Sequence, residues 1–406
     1  MSEVAQVPQL RFPEFNGDLE EKKLDDVGSF KSGTGFTEAE QGGKSGVPFF
    51  KVSDMNLEGN QKVMVSANNY VNDEQIARLN YKPINKKSVI FAKVGAAVFL
   101  ERKRIADSFL IDNNMMAFTP TEDIDFIRQW FDTVRLSKYA QVGALPSYNA
   151  SDLKTIKINL PALPEQTKIA SFLTTVDNKI EQLSKKQELL GEYKKGLMQQ
   201  IFSQVIRFKA DDGCDFPDWK EKKLGDVGNF YRGHSYNSTN VKDSGLLVLR
   251  SSNIKNDSLI LDNDLQFVNK DCSDNISLKT NDIVICMANG SKRLVGKSGI
   301  YHGDYNGKLT VGAFCSIFRT DNLLSKYILQ TVQYRKYLHI LLAGTNINNL
   351  KNSELSELTF NLPVSSFEQT KIASFLSSID NKIEQVDKQL DESKQFKKAL
   401  LQQMFV

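Results

Sequence analysis

Three stretches of the 406-residue sequence carry the residue types of a reactive or nucleotide-binding centre, and none has the spacing. GGKSG at 42–46 resembles a phosphate-binding loop, but the glycine needed at position 38 is Glu38, and GTG at 33–35 lacks the third glycine of a dinucleotide fingerprint. PDWKEKK at 217–223 spells a metal-nuclease pattern with Asp218, Glu221 and Lys223. Carboxylates three residues apart do not converge on one ion from separate strands, so the run reads as a charged strand entrance. His234, His302 and His339 are the only histidines, with no cysteine or carboxylate at ligand spacing. His234, in a basic loop, is the one kept as a phosphate or base contact. Cys214, Cys272, Cys286 and Cys315 lie in the second half without CxxC spacing, which favours buried thiols over a disulfide or zinc framework. No catalytic residue and no metal ligand is assigned.

Binding chemistry is better supplied. Lys31 and Lys44 stand in a long polar loop at 31–46, and Lys93, Arg102, Lys103 and Arg104 surround an apolar hairpin at 89–105. In the second half Tyr231, Arg232, His234, Arg250, Lys292, Arg293 and Lys297 occupy loops rich in Gly, Ser and Asn. Tyr148 and Asn149, and correspondingly Asn346 and Asn348, precede the last strand of each half. Cationic groups in such loops sit on phosphates, and Arg, Lys and Asn read base edges.

The elements that position these loops occur twice. EQTKIASFL at 165–173 returns at 368–376, and DNKIEQ at 177–182 returns at 380–385, both 203 residues later. FPEFNGDLEEKKLDDVGSF (12–30) resembles FPDWKEKKLGDVGNF (216–230), and SDLKTIKINLP (151–161) resembles SELSELTFNLP (353–363). Between these frames, 31–150 and 231–352 share almost no alignable residues. A repeat of this kind decides the architecture before any element is assigned.

After each EQTKIA block a 3.5-residue apolar period runs without proline. It visits Ile169, Leu173, Val176, Ile180, Leu183, Leu190 and Leu197, and again Ile372, Leu376, Ile379, Ile383, Val386, Leu390 and Leu400. Gln187 and Lys194 interrupt the first seam, Ser393 and Lys397 the second. The pattern predicts two coiled-coil helices, each about 54 Å long, which most simply pair with one another as a spacer. Strand-like runs at 47–55, 87–95 and 113–120 match runs at 246–254, 282–290 and 311–319, and helices are expected over 124–141 and 323–342. The predicted fold is α+β: a mixed α/β domain over 1–162, a helical spacer over 163–208, a second such domain over 209–364 and a second spacer over 365–406.

Composition is that of an ordinary globular protein, with 25% charged and 40% hydrophobic residues and a formal charge of +3, so any DNA-binding charge must be local. No apolar run reaches the length of about 18 residues that a transmembrane helix requires. The first residues lack a basic and an apolar signal region, which leads us to expect a cytoplasmic protein.

These motifs resemble the specificity subunits of type I restriction-modification systems. The LPxxEQxxIAxxL pattern is carried by Leu163, Pro164, Glu165, Gln166, Ile169, Ala170 and Leu173, and again by Glu368, Gln369, Ile372, Ala373 and Leu376, with Leu362 and Pro363 displaced upstream. Asp177 to Ile180 and Asp380 to Ile383 continue it. The resemblance implies two target recognition domains in pseudo-twofold repeat, joined by helices that pair antiparallel. Each domain reads half of a split duplex DNA sequence, and the helices set the gap and dock two methyltransferase subunits. It also implies that this chain has no catalytic centre and binds no cofactor, with S-adenosylmethionine, ATP and Mg on the methyltransferase and the restriction/translocase subunits. The rival readings are a self-contained DNA methyltransferase or nuclease, and a bivalent coiled-coil protein scaffold.

Overall fold

The computed structural model describes residues 7–141, 143, 145–343 and 348–405. The chain divides into two compact units, Met1–Lys185 with Asp387–Val406, and Lys186–Val386.

The first unit contains α1 (Asp73–Arg78), α2 (Ile124–Thr133), α3 (Ala150–Lys154) and the first part of α4 (Leu163–Phe202). Its main sheet has the order Gly28–Ser32, Met115–Pro120, Ser88–Ala92, Lys103–Ala106, antiparallel throughout. Every residue of Ser88–Ala92 is buried because both faces of the sheet are covered. Val89 and Phe91 pack with Phe126, Ile127, Trp130 and Phe131 of α2, while Ile90 faces Phe50, Met55 and Ile84. That is the period-2 alternation of a strand between two apolar layers.

The second unit contains the rest of α4, then α5 (Leu224–Val227), α6 (Ser325–Ile328), α7 (Val332–Ala343), α8 (Asn352–Ser356) and the first part of α9 (Ser366–Met404). Its main sheet begins Asn229–Arg232, Cys315–Arg319, Ile283–Cys286, Ser298–Ile300, in the same antiparallel succession.

The repeated sequence frame becomes one local structure in each unit. The entrance Glu20–Lys23 pairs antiparallel with the exit Lys157–Leu160, and Lys220–Lys223 pairs likewise with Thr359–Leu362. Each ladder delivers the chain to a long helix.

Several expected elements are shorter than their sequence runs, and one is divided. The runs at 47–55 and 246–254 leave the strand after Phe50 and Leu249, where the Asp54 carboxylate accepts the Lys51 N–H and Asn253 Oδ1 accepts the Arg250 N–H, both at 2.8 Å. A local side-chain acceptor curls the backbone out of the ladder. The helix expected over 124–141 stops at Thr133, with extended Val134 following and a single 3-10 turn at Leu136–Tyr139. The one expected over 323–342 divides into α6 and α7, the Thr331 hydroxyl accepting the Tyr334 N–H at 3.2 Å where α7 starts.

In the first unit Ile169, Ala170 and Leu173 near the start of α4 share a core with Leu400 and Met404 at the end of α9. In the second, Met198 and Ile201 at the end of α4 meet Ile372 and Leu376 near the start of α9. The two helices therefore run antiparallel in both places. All fourteen seam residues are buried or half-buried.

The lysines that interrupt the seam are answered in the same way in both units. Lys397 Nζ lies 2.7 Å from the Asp177 carboxylate, which also takes Arg128 at 3.1 Å and Gln129 at 3.0 Å from α2. Lys194 Nζ lies 2.7 Å from Asp380, which takes the Tyr327 hydroxyl at 2.9 Å and Lys326 at 3.5 Å from α6. Burial pushes the Asp177 carboxyl up, but Lys397, Gln129 and Arg128 outweigh it and hold it below the usual carboxylate range.

The glutamates of the EQ motifs are buried at the start of each long helix. Glu165 receives Arg11 through Nε and Nη2 at 2.6 and 2.7 Å. Glu368 receives Arg207 Nη2 at 3.2 and 3.3 Å and Trp219 Nε1 at 3.0 Å. Phe12 and Phe208, each following its arginine, make edge contacts with Phe172 and Phe375.

Candidate nucleic-acid interface

In each unit the buried central strand ends in a loop tied to the segment that precedes the short helix α3 or α8. In the first unit Gly95 N–H donates to Pro146 O at 2.7 Å and Tyr148 N–H to Lys93 O at 3.2 Å. In the second, Leu350 N–H donates to Met287 O at 2.8 Å, Asn289 N–H to Asn348 O at 3.3 Å, and Asn348 Nδ2 to Gly290 O at 3.0 Å. The sequence candidates Lys93 and Asn149 thus share one loop pair, and Asn348, Lys292 and Arg293 share its counterpart. Asn346 lies outside the described residues. Lys93 and Asn348 are half-exposed, and Asn149, Lys292 and Arg293 are exposed. The Lys292 ammonium reaches Leu342 O at 3.1 Å.

A third turn joins this cluster. Met115 N–H donates to Asp112 O and Cys315 N–H to Gly312 O, so 112–115 and 312–315 are equivalent turns. Their third residues, Asn114 and Phe314, each offer a carbonyl to the loop above, from Lys93 N–H at 2.8 Å and from Met287 N–H at 2.8 Å. The Phe314 side chain is 71% exposed.

Several sequence candidates have other occupations. Lys103 is only 3% exposed; its ammonium holds Glu101 at 2.7 Å and Val134 O at 2.9 Å, so it closes the hairpin onto α2 and does not face solvent. Arg104 is half-buried, with Nε on Asn60 O and Nη1 on Lys103 O. Tyr148 is a core residue with its ring tilted 46° to that of Phe91, its hydroxyl donating to Ala92 O; burial raises its pKa. His234 is buried, and burial with nearby Lys270 pushes its pKa down. These residues carry charge or hydroxyl groups that sequence cannot distinguish from surface ones. Arg250 pairs with Asp264 at 2.5 Å, Lys297 with Ile254 O at 2.9 Å, Lys31 with Lys82 O at 2.5 Å, and Arg102 with Asn56. Tyr231 lies half-buried under the Arg319 guanidinium at 5.0 Å, while Arg232 and Lys44 are exposed. Among the described residues no three His, Cys, Asp or Glu side chains gather as a metal site, and no helix is long and apolar enough to cross a membrane.

Sequence reasoning passed over Phe314, Asn289, Arg11 and Arg207. The two arginines had a signal: an Arg-Phe pair opens onto the first entrance motif at 11–12, and another stands ahead of the second at 207–208.

The family model described as type I restriction modification DNA specificity domain matches twice, at residues 16–190 and 217–393. The chain belongs to this family. It is 27% identical over 274 residues to the MjaVIII specificity subunit of Methanocaldococcus jannaschii, covering 63% of either chain. To the EcoKI specificity subunit of Escherichia coli it is 30% identical over 178 residues, 42% of this chain and 37% of that one. The match thus spans about three-fifths of the first relative's length and over a third of the second's. The crystal structure of a type I restriction-modification S subunit from M. genitalium shares the fold, with a TM-score of 0.62 at 16% identity over 99% of both chains. In family terms, the loop pairs and turns above belong one set to each specificity domain.

Proposed function

We propose that this chain is the DNA specificity subunit of a type I restriction-modification complex. Each unit reads one half of a bipartite duplex target through its loop pair and turn, while the antiparallel α4 and α9 set the gap and dock two modification subunits. The chain itself carries out no catalytic step. S-adenosylmethionine, ATP and Mg serve the methyltransferase and restriction/translocase partners, and the complex works in the cytoplasm. One observation carries the reading: equivalent loops in the two units are held by the same backbone bonds but display different side chains. That is the arrangement two independent readers on one frame require, since direct readout depends on side chains at base edges.

The test is selection of random duplexes by the full chain together with its modification subunits. A two-part asymmetric sequence with one fixed gap is expected. A contiguous site, or no site, refutes the proposal. Methylation or cleavage by this chain alone would establish an enzyme instead. Binding that is indifferent to salt would establish a protein scaffold, because phosphate contacts release counterions and weaken steeply as salt rises.

A further inference from the structure

Phe314 stands where an apolar side chain has no reason to stand for the fold's sake. It occupies the third position of a tight turn, is 71% exposed, and follows Gly312 and Ala313. Its backbone is fixed on both sides: the carbonyl accepts Met287 N–H at 2.8 Å and Ala288 N–H at 3.2 Å, and the turn closes through Cys315 N–H to Gly312 O at 2.8 Å. Isolated exposed apolar residues are commonplace on protein surfaces. This one differs in its surroundings and in its counterpart.

Beside it, Asn289 Nδ2 is held on Ser251 Oγ at 3.2 Å, Asn348 Nδ2 on Gly290 O at 3.0 Å, and Lys292 follows in the same loop. In the other unit the equivalent turn closes through Met115 N–H to Asp112 O at 3.0 Å and its third residue, Asn114, accepts Lys93 N–H at 2.8 Å, while its side-chain amide donates to the Asp112 carboxylate at 3.2 Å. An identical scaffold position thus offers an amide in one unit and a phenyl ring in the other. Exposed on a rigid turn, a phenyl ring loses little further freedom on binding and offers a flat apolar face. In the major groove the one apolar feature of a base edge is the thymine 5-methyl group.

We propose that Phe314 reads a thymine in the half-site of the second unit by packing against its 5-methyl group. The inference rests on the DNA-specificity reading and adds to it a residue, a base and an atom.

The experiment is a methyl scan. Once the two-part site has been selected, each thymine is replaced singly by uracil, which keeps Watson–Crick pairing and removes only the methyl. Binding is measured for the full chain in complex with its modification subunits. For the wild type, one position in one half-site is expected to lose affinity about fourfold, the equivalent of about 0.8 kcal/mol for one buried methyl-sized group. Phe314→Ala should make thymine and uracil equal at that position alone, Phe314→Leu should keep the difference, and Asn114→Ala should leave it untouched. A half-site pair in which no uracil penalty depends on Phe314 overturns the inference. So does a Phe314→Ala variant with unchanged DNA preference that no longer co-purifies with the modification subunits, since the ring would then be a protein contact. If the wild-type complex selects no two-part site, the reading of the whole chain fails and the inference falls with it; if it selects one without a Phe314-dependent methyl effect, only the inference fails.

Discussion

Removing either arginine from its buried glutamate should destabilise the protein, and by different amounts. Glu165 and Glu368 are 2% and 0% exposed, so neither carboxylate can recover its lost partner from water. Glu165 is held by both Arg11 nitrogens at 2.6 and 2.7 Å; Arg11→Met strips away that fork and leaves a buried charge. Breaking such a pair costs about 3–5 kcal/mol, and the low end applies because Arg11 sits near the surface. Glu368 keeps the Trp219 indole N–H at 3.0 Å after Arg207→Met, and the Arg207 contacts are longer, at 3.2 and 3.3 Å. The Phe216 and Pro217 carbonyls that Arg207 also holds are part-buried and exposed bonds, so water can take over much of that role. The loss there should be that of a charge-assisted hydrogen bond, about 2 kcal/mol. For units near 200 residues about 1 kcal/mol moves Tm by roughly 2–4 °C. Scanning calorimetry of the full chain should therefore show a fall of about 6–12 °C for Arg11→Met and roughly 4–8 °C for Arg207→Met. Glu165→Gln combined with Arg11→Met should recover part of the loss, because the buried charge is gone. A shift below about 2 °C for Arg11→Met, or a larger shift for Arg207→Met, would refute the assignment of the cost to an unpaired buried carboxylate.

Three further outcomes are expected. Gly28→Ala and Gly228→Ala should each cost about 1–3 kcal/mol in thermal melts, since the added Cβ would fall 2.5 Å from the ring of Phe118 or Phe318, whereas Gly225→Ala meets only Ser356 at 3.1 Å and should cost less. Lys292→Ala and Arg293→Ala should each reduce the salt-dependence slope of DNA binding by about 1, while Lys103→Met should leave the slope alone and lower Tm, its ammonium being buried on Glu101. Asp177 has a depressed pKa in the folded chain, so its contribution is present above the unfolded carboxylate range and is lost as pH falls through the folded value; urea titrations from pH 6 down to about 3 should show that loss in the wild type and a flatter profile in Asp177→Asn.

The frame of this protein was legible in its sequence because it obeys periodicities. The seam from Ile169 to Leu197 and from Ile372 to Leu400 repeats every 3.5 residues, the doubled EQ motifs marked the starts of the long helices, and the entrance motifs marked a strand, though not its pairing with 157–160 or 359–362. The contents were less legible, because a long cationic side chain reads alike whether it reaches water or a buried acceptor. Lys93 and Lys103 stand ten residues apart in one hairpin, yet the first is half-exposed in the loop and the second is sealed against Glu101 and Val134. Phe314 was hidden for the opposite reason: within GAFCSIF it has the apolar neighbours of a strand, and only the turn at 312–315 turns it outward. Element ends failed where a single hydroxyl or carboxylate decided the backbone, at a helix start by Thr331 and at a strand end by Asp54.

If the units read DNA as proposed, the ion-pair clusters at Asp177 and Asp380 bear on how such a chain could change its target. Each aspartate lies in the repeated DNK run of a long helix, whereas the groups that reach it from the globular part differ: a guanidinium and an amide from Arg128 and Gln129, a phenol and an ammonium from Tyr327 and Lys326. A carboxylate accepts any of these donors from a broad range of directions. The helix thus offers a socket that two different donor sets already fill, and an incoming segment would need to supply only some donor at that point on its own helix. On the proposed function, exchange of one reader for another, by recombination or by engineering, would be constrained at that socket by chemistry as loose as one hydrogen-bond donor, while the target it brought could be wholly new.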